Sequence, residues 1–217
     1  MKIKRISLVL LSSFIFLLAA CTPAAAPTQI IPSAKSGDVL FQEDFSNNTS
    51  GWDRVLNDGG IMDYDSGGYR MLVQQPKMNF WSTPGKYFGD VRIEVDVTKL
   101  NGPNENRAGL ICRYQNGNYY FFMISMDGFY TIGKFTGGQA ILLGQESMLP
   151  SDLIKTNALN HLRADCVGNT LTMYVNFNQV ASVQDTDFQA GDVGLLAGSF
   201  TEPGVDVLFQ NFVVIQP

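Results

Sequence analysis

The chain contains a single histidine, His161, in 217 residues. A multi-histidine metal centre needs several such residues, and a histidine base needs a Ser or Cys motif beside it, which is absent. His161 lies in an NHL turn leading into a strand and is read as a structural or exposed residue. Positive charge is also scarce: 15 Lys and Arg stand against 20 Asp and Glu, for a net charge of −5. That balance argues against a nucleic-acid partner and against polybasic attraction to anionic lipid. The apolar run near the N-terminus is too short for a membrane span, which takes roughly 20 apolar residues. Helical patterning is confined to SDLIKTN, residues 151–157, where Ser151 would cap after Pro150.

What is present begins with Lys2, Lys4 and Arg5 followed by ISLVLLSSFIFLLAA, the charged and apolar regions of a signal peptide. Leu18, Ala19, Ala20 and Cys21 resemble a bacterial lipobox. The resemblance implies removal of residues 1–20 and a diacylglycerol on the Cys21 sulfur. The protein would then be anchored by lipid in the cell envelope, on the extracytoplasmic side of a bacterial membrane. The alternative is an ordinary signal peptide cut after an A-x-A-like site, with an incidental cysteine. Residues 21–37 are rich in Pro and Ala and lack a repeating apolar pattern, as suits an extended tether. Removing the signal takes away three basic residues, leaving 12 basic against 20 acidic, or −8.

Residues 38–217 suit one domain with a sizeable core. VRIEVDV (91–97) alternates apolar and polar residues strictly, and HLRADCVG and TLTMYVN do so on either side of a Gly168-Asn169 turn. AGLICRY, NYYFFMIS and FYTIGKF are three further strands separated by the turn-prone QNGN and MDG. DVGLLAGSF and VDVLFQNFVVI add two more near the C-terminus. Many strands, short turns and at most one short helix predict an all-β sandwich of two antiparallel sheets.

LFQEDFSNNTSGW, AGLICRYQNGNYYFFMIS, NHLRADCVGNTLTMYVN and VGLLAGSF with VLFQNFVV resemble the concanavalin A-like lectin/glucanase superfamily. Within it, the resemblance is to laminin-G-like and 3-keto-disaccharide-hydrolase-like domains, and it covers Val39 to Ile215. It implies a jelly roll with one concave sheet, on which many relatives bind glycans. Retaining glycosidases of the superfamily often carry an E-x-D-x-(x)-E strand whose outer glutamates act across the scissile bond. Here Glu94-Val95-Asp96-Val97-Thr98-Lys99 lacks the second glutamate. Glu94 and Asp96 share one strand face, which is read as the solvated face of a sheet. Three classes follow in order: a carbohydrate- or surface-binding module, a non-catalytic interaction or structural domain, and a glycoside-cleaving enzyme. An extracellular glycan is the candidate partner; the oligomeric state stays open.

A glycan platform needs exposed rings with polar neighbours, and the candidates are Trp81, Arg113, Tyr119, Tyr130 and Lys134. Strict alternation in AGLICRY places Arg113 with Gly109 and Ile111 on one face, opposite Leu110, Cys112 and Tyr114. A charge there needs solvent or a carboxylate, so an open sheet face is expected around Arg113. Trp52 is read as core. No cofactor is expected, with calcium as a weaker alternative held by Glu43, Asp44 and Asp206 if the terminal strands pair. The NDGG and MDYDSGG loops offer equally suitable oxygens. In an exported chain, Cys112 and Cys166 are expected to form a disulfide, since each alternates with apolar residues of its strand. Two buried free thiols are the alternative.

Overall fold

A computed structural model of the chain describes residues 34–217. Cys21, the signal segment 1–20 and most of the tether lie outside the described residues. Of the tether, residues 34–37 belong to a turn in which Lys35 O accepts from Asp38 N, and Gly37 N donates to Gln216 O.

No helix occurs among the described residues. The sixteen strands are β1 (Val39–Glu43), β2 (Val55–Asn57), β3 (Gly60–Asp65), β4 (Gly68–Val73), β5 (Asn79–Ser82), β6 (Val91–Asn101), β7 (Asn106–Gln115) and β8 (Asn118–Ser125), then β9 (Phe129–Thr136), β10 (Gln139–Leu142), β11 (Leu149–Pro150), β12 (Asn160–Val167), β13 (Thr170–Val175), β14 (Asn178–Gln184), β15 (Asp192–Ser199) and β16 (Val205–Ile215). They pair antiparallel into two sheets. The first has the order β14-β13-β12-β6-β16-β4-β3-β2, with β1 also on β16. The second has the order β10-β9-β8-β7-β15-β5, with β11 also on β9.

The first sheet follows from strict alternation. In β6, Val91, Ile93, Val95 and Val97 are buried while Arg92, Glu94, Asp96 and Thr98 stay partly exposed. One face therefore packs on the core and the other meets water. The second sheet differs, because β8 is apolar on both sides. Tyr120, Phe122 and Ile124 enter the main core between the sheets. Tyr119, Phe121 and Met123 point outward and form a smaller apolar cluster with Ile111 of β7 and Leu196 of β15. Cys112 of β7 and Cys166 of β12 are joined by a disulfide across the core, so the bond staples one sheet to the other.

The helix expected over 151–157 is replaced by turns. Ser151 does accept the Leu153 and Ile154 amides, through its side chain and its carbonyl respectively, as a cap would. Propagation stops because Asn160 accepts from Lys155 N and donates to Lys155 O, both at 2.8 Å, which folds the chain back into β12. A first turn gains one hydrogen bond at the cost of several fixed dihedrals, so such competition defeats a short helix.

Candidate functional site

The outer face of the second sheet carries the aromatic groups. Tyr119 lies against Phe135 of β9, ring centroids 5.4 Å apart and planes 13° apart. Trp81 of β5 stands 6.4 Å from Tyr119 at 32°, and Tyr114 of β7 stands 5.9 Å away at 31°. Trp81 is 42% exposed, so this ring faces solvent, whereas Tyr119 is buried among its neighbours. Burial, with the nearby Tyr114, pushes the Tyr119 hydroxyl up to about 12. The sheet permits this layer because Gly133 is cross-strand from Phe121. A Cβ at Gly133 would stand 2.2 Å from the Phe121 ring, so the missing side chain is the space the ring fills.

Beside these rings lies a cavity of about 320 Å³. Tyr119, Phe121, Met123, Phe135 and Leu196 supply apolar wall, and Met148 and Phe200 come from loops. Its polar groups are Lys77, Asn79, Arg107 and Thr131, and no Asp or Glu lines it. Thr131 Oγ1 accepts from Gln145 Nε2 at 2.8 Å. A largely apolar pocket with a few placed polar groups is the usual form of a small-ligand site.

Of the five residues expected on this face, Trp81 and Tyr119 are there and three are not. Arg113 is 1% exposed and points away, donating to Phe188 O at 2.8 Å and pairing with Asp90 at 3.1 Å. The cause is a β-bulge. Cys112 opposes Tyr120 and Gln115 opposes Asn118, so Arg113 and Tyr114 together face the single residue Tyr119. Arg113 takes up the extra residue with φ 56°, which shifts the alternation by one and hands the outer face to Tyr114. Across the bulge, a Cβ at Gly191 would fall 2.6 Å from Tyr114 O, so only glycine admits that close approach.

Tyr130 belongs to the main core, and its hydroxyl donates to Val180 O at 2.9 Å. Lys134 is held between Asp185 and Asp187, each at 2.6 Å. Asp185 also accepts from the Tyr120 hydroxyl at 2.6 Å. Burial pushes the Asp185 carboxyl up, but the Lys134 and Tyr120 hydrogen bonds outweigh it and hold it below its ordinary value. Lys134 thus ties β9 to the 185–187 segment. Sequence reasoning missed Tyr114, Phe135 and Arg107, the last hidden because a lone arginine after a turn carries no pattern.

Glu94 and Asp96 lie on the first sheet's outer face, away from the aromatic cavity. His161 joins them, with Nδ1 at 2.8 Å from Asp96 and Nε2 at 3.5 Å from Glu94, and its ring stacks on Phe177 at 4.5 Å. The calcium candidates are not brought together, although β1 and β16 do pair. Glu43 is opposite Phe212, six residues along β16 from Asp206, or roughly 20 Å. Each also has its own partner: Glu43 accepts from Phe45 N, Asp44 from Ser46 N, and Asp206 from Arg70 through both oxygens. Hydrogen bonds from Ser46 lower the Asp44 carboxyl below its ordinary value. Among the described residues, no group of three or more His, Cys, Asp or Glu is placed to hold a metal. Trp52 is core, edge-on to Phe45 and Phe212.

No protein-family model matches the chain, and no curated protein sequence matches it significantly. Solved structures share its fold. The carbohydrate binding module CBM66 from Bacillus subtilis is 20% identical with a TM-score of 0.62, the match covering 77% of this chain and 96% of the module. A Bacillus subtilis protein of unknown function with a galectin-like fold is 13% identical with a TM-score of 0.64, covering 84% and 97%. The Bacillus licheniformis beta-glucanase is 14% identical with a TM-score of 0.58, covering 86% and 100%. The architecture is therefore the jelly-roll sandwich common to carbohydrate-binding modules and glucanases, and at these identities the likeness is one of fold.

Proposed function

We propose that the protein is a lipid-anchored extracytoplasmic protein whose sandwich binds carbohydrate on the outer face of the second sheet, without chemical turnover. The observation that carries this reading is the row of rings Trp81, Tyr119 and Phe135, set beside a cavity on a fold also found in a carbohydrate binding module. Sugar C–H faces stack on such rings, and the exposed Asn79 amide with Lys77 and Arg107 of the cavity lining offers donors for hydroxyls. Binding is favoured over hydrolysis because glycoside cleavage uses two carboxyl groups flanking the bond. The cavity lining supplies none. A shallow site gains from many anchored copies acting together, which is what a lipid on Cys21 would provide.

A glycan array probed with the purified protein at high surface density tests the reading. Binding to at least one glycan class, weakened in Trp81→Ala, is expected; silence across the array would overturn it. The anchor has its own test. Cys21→Ser should block processing or release the chain from membranes, and wild-type protein found wholly in the detergent-free soluble fraction would contradict it.

A further inference from the structure

The ion pairs of the domain leave one arginine out. Arg54 pairs with Asp63, Arg70 with Asp206, Arg92 and Arg163 with Asp165, and Arg113 with Asp90. Among the described arginines, Arg107 alone has no carboxylate partner. It is nevertheless held firmly. Nη1 donates to Asn79 Oδ1 at 2.9 Å and to Ser199 O at 2.7 Å, and the guanidinium lies 3.9 Å from the centre of the Phe200 ring. These contacts leave Nε and Nη2 without a protein partner. The same edge is the one Arg70 presents to Asp206, at 2.9 and 2.7 Å, and Arg54 to Asp63, at 2.7 and 3.0 Å. Two parallel N–H donors in that fork match a carboxylate or another planar pair of oxygens.

The setting adds to this. Arg107 and Lys77 line the aromatic cavity together with no acidic residue, on a domain (residues 38–217) with 11 basic against 20 acidic residues. Lys77 is likewise without an ion pair, and its backbone is fixed to Phe200 O through its amide at 2.7 Å. Burial lowers the Arg107 pKa even though the nearby Glu105 carboxylate pulls it up, so lost hydration outweighs the one anion close by. A guanidinium held against an apolar wall with no carboxylate in contact is costly unless something completes it.

We infer that the saccharide bound at this face carries a negative charge, which occupies the free Nε–Nη2 edge of Arg107 while its ring lies against Tyr119 and Phe135. This rests on the carbohydrate reading and narrows it from sugars in general to acidic sugars. A carboxylate and a sulfate share the chemistry required. Lys77 supplies a second positive charge at the same cavity, without the fork geometry.

The test is an affinity comparison between acidic glycans from the array, carboxylated and sulfated, and their neutral counterparts. Wild type, Arg107→Gln, Arg107→Lys and Lys77→Glu are each measured at low and high salt. Acidic glycans should bind more tightly than neutral ones and lose roughly tenfold or more in Arg107→Gln, with Arg107→Lys between, because lysine keeps the charge without the fork. Their affinity should also fall as salt rises. A carboxylate preference or a sulfate preference supports the inference equally and tells the two sources apart. Lys77 is exposed, so Lys77→Glu should fold normally and weaken acidic ligands several-fold even if Arg107→Gln proves unstable. Equal binding of neutral and acidic glycans, unchanged in both variants, would overturn the inference and leave the carbohydrate reading standing. Absence of any glycan binding would overturn both.

Discussion

Tyr119 and Phe135 are directly cross-strand partners, and their rings lie nearly parallel at 5.4 Å. Offset stacking of this kind is worth about 0.5–1.5 kcal/mol beyond the area it buries. Tyr119 is buried and Phe135 half-buried, so the pair is already packed beside the cavity.

Burial of tyrosines gives the fold an alkaline limit. Burial first, with neighbouring groups adding to it, pushes Tyr119 and Tyr120 to about 12 from an ordinary 10.0, and burial pushes Tyr69 higher still. The unfolded chain would lose these protons first. The stabilisation is therefore full below pH 10 and is lost as the pH rises from 10 through about 12. Denaturant midpoints measured across that range should fall steadily, with near-ultraviolet tyrosinate absorbance rising in step with unfolding. A flat profile would show that these hydroxyls ionise freely in the folded state.

The sequence and the structure agree where one sheet face meets water. In β6 and β12 alternation names the inward residues, and the β12–β13 hairpin closes with Val167 opposite Thr170, as the Gly168-Asn169 turn implies. The pattern fails where both faces are apolar. FYTIGKF puts Tyr130 and Ile132 inward and Phe135 outward, and its composition cannot say which face is which. The inward turn of Arg113 is hidden in the sequence because its bulge is built on an arginine at φ 56° rather than on a glycine that would announce it. The role of Lys134 is not legible locally because its partners lie 51 and 53 residues away, beyond any local pattern. The free edge of Arg107 is visible only once every other arginine has been paired.

The disulfide joins residues 54 apart in sequence and links the two sheets. On the chain-entropy account, such a loop stabilises by about 4 kcal/mol. Cys112→Ala, Cys166→Ala and the double variant should each lower urea-derived stability by a similar amount, because the second substitution removes nothing further. Additive losses in the double variant would contradict a shared bond.

The bulge separates two adjacent residues by role. Arg113→Ala empties a fully buried side-chain site and leaves the Phe188 carbonyl without its donor, and should cost about 3 kcal/mol of stability. Tyr114→Ala, one residue on, should cost less than that and weaken glycan binding, since Tyr114 shares the outer face with Tyr119. Chemical denaturation of both variants, paired with binding of an array-selected glycan, checks the contrast. The reverse pattern would return Arg113 to the binding face.

Glycan binding on the ring face of the second sheet is tested by calorimetric titration of one array-selected glycan against wild type and Trp81→Ala. Trp81 is exposed and stands beside Tyr119, so its loss should leave the unfolding temperature nearly unchanged while weakening affinity at least tenfold, about 1.4 kcal/mol. Unchanged affinity in a folded Trp81→Ala protein would place the binding surface elsewhere and contradict the account.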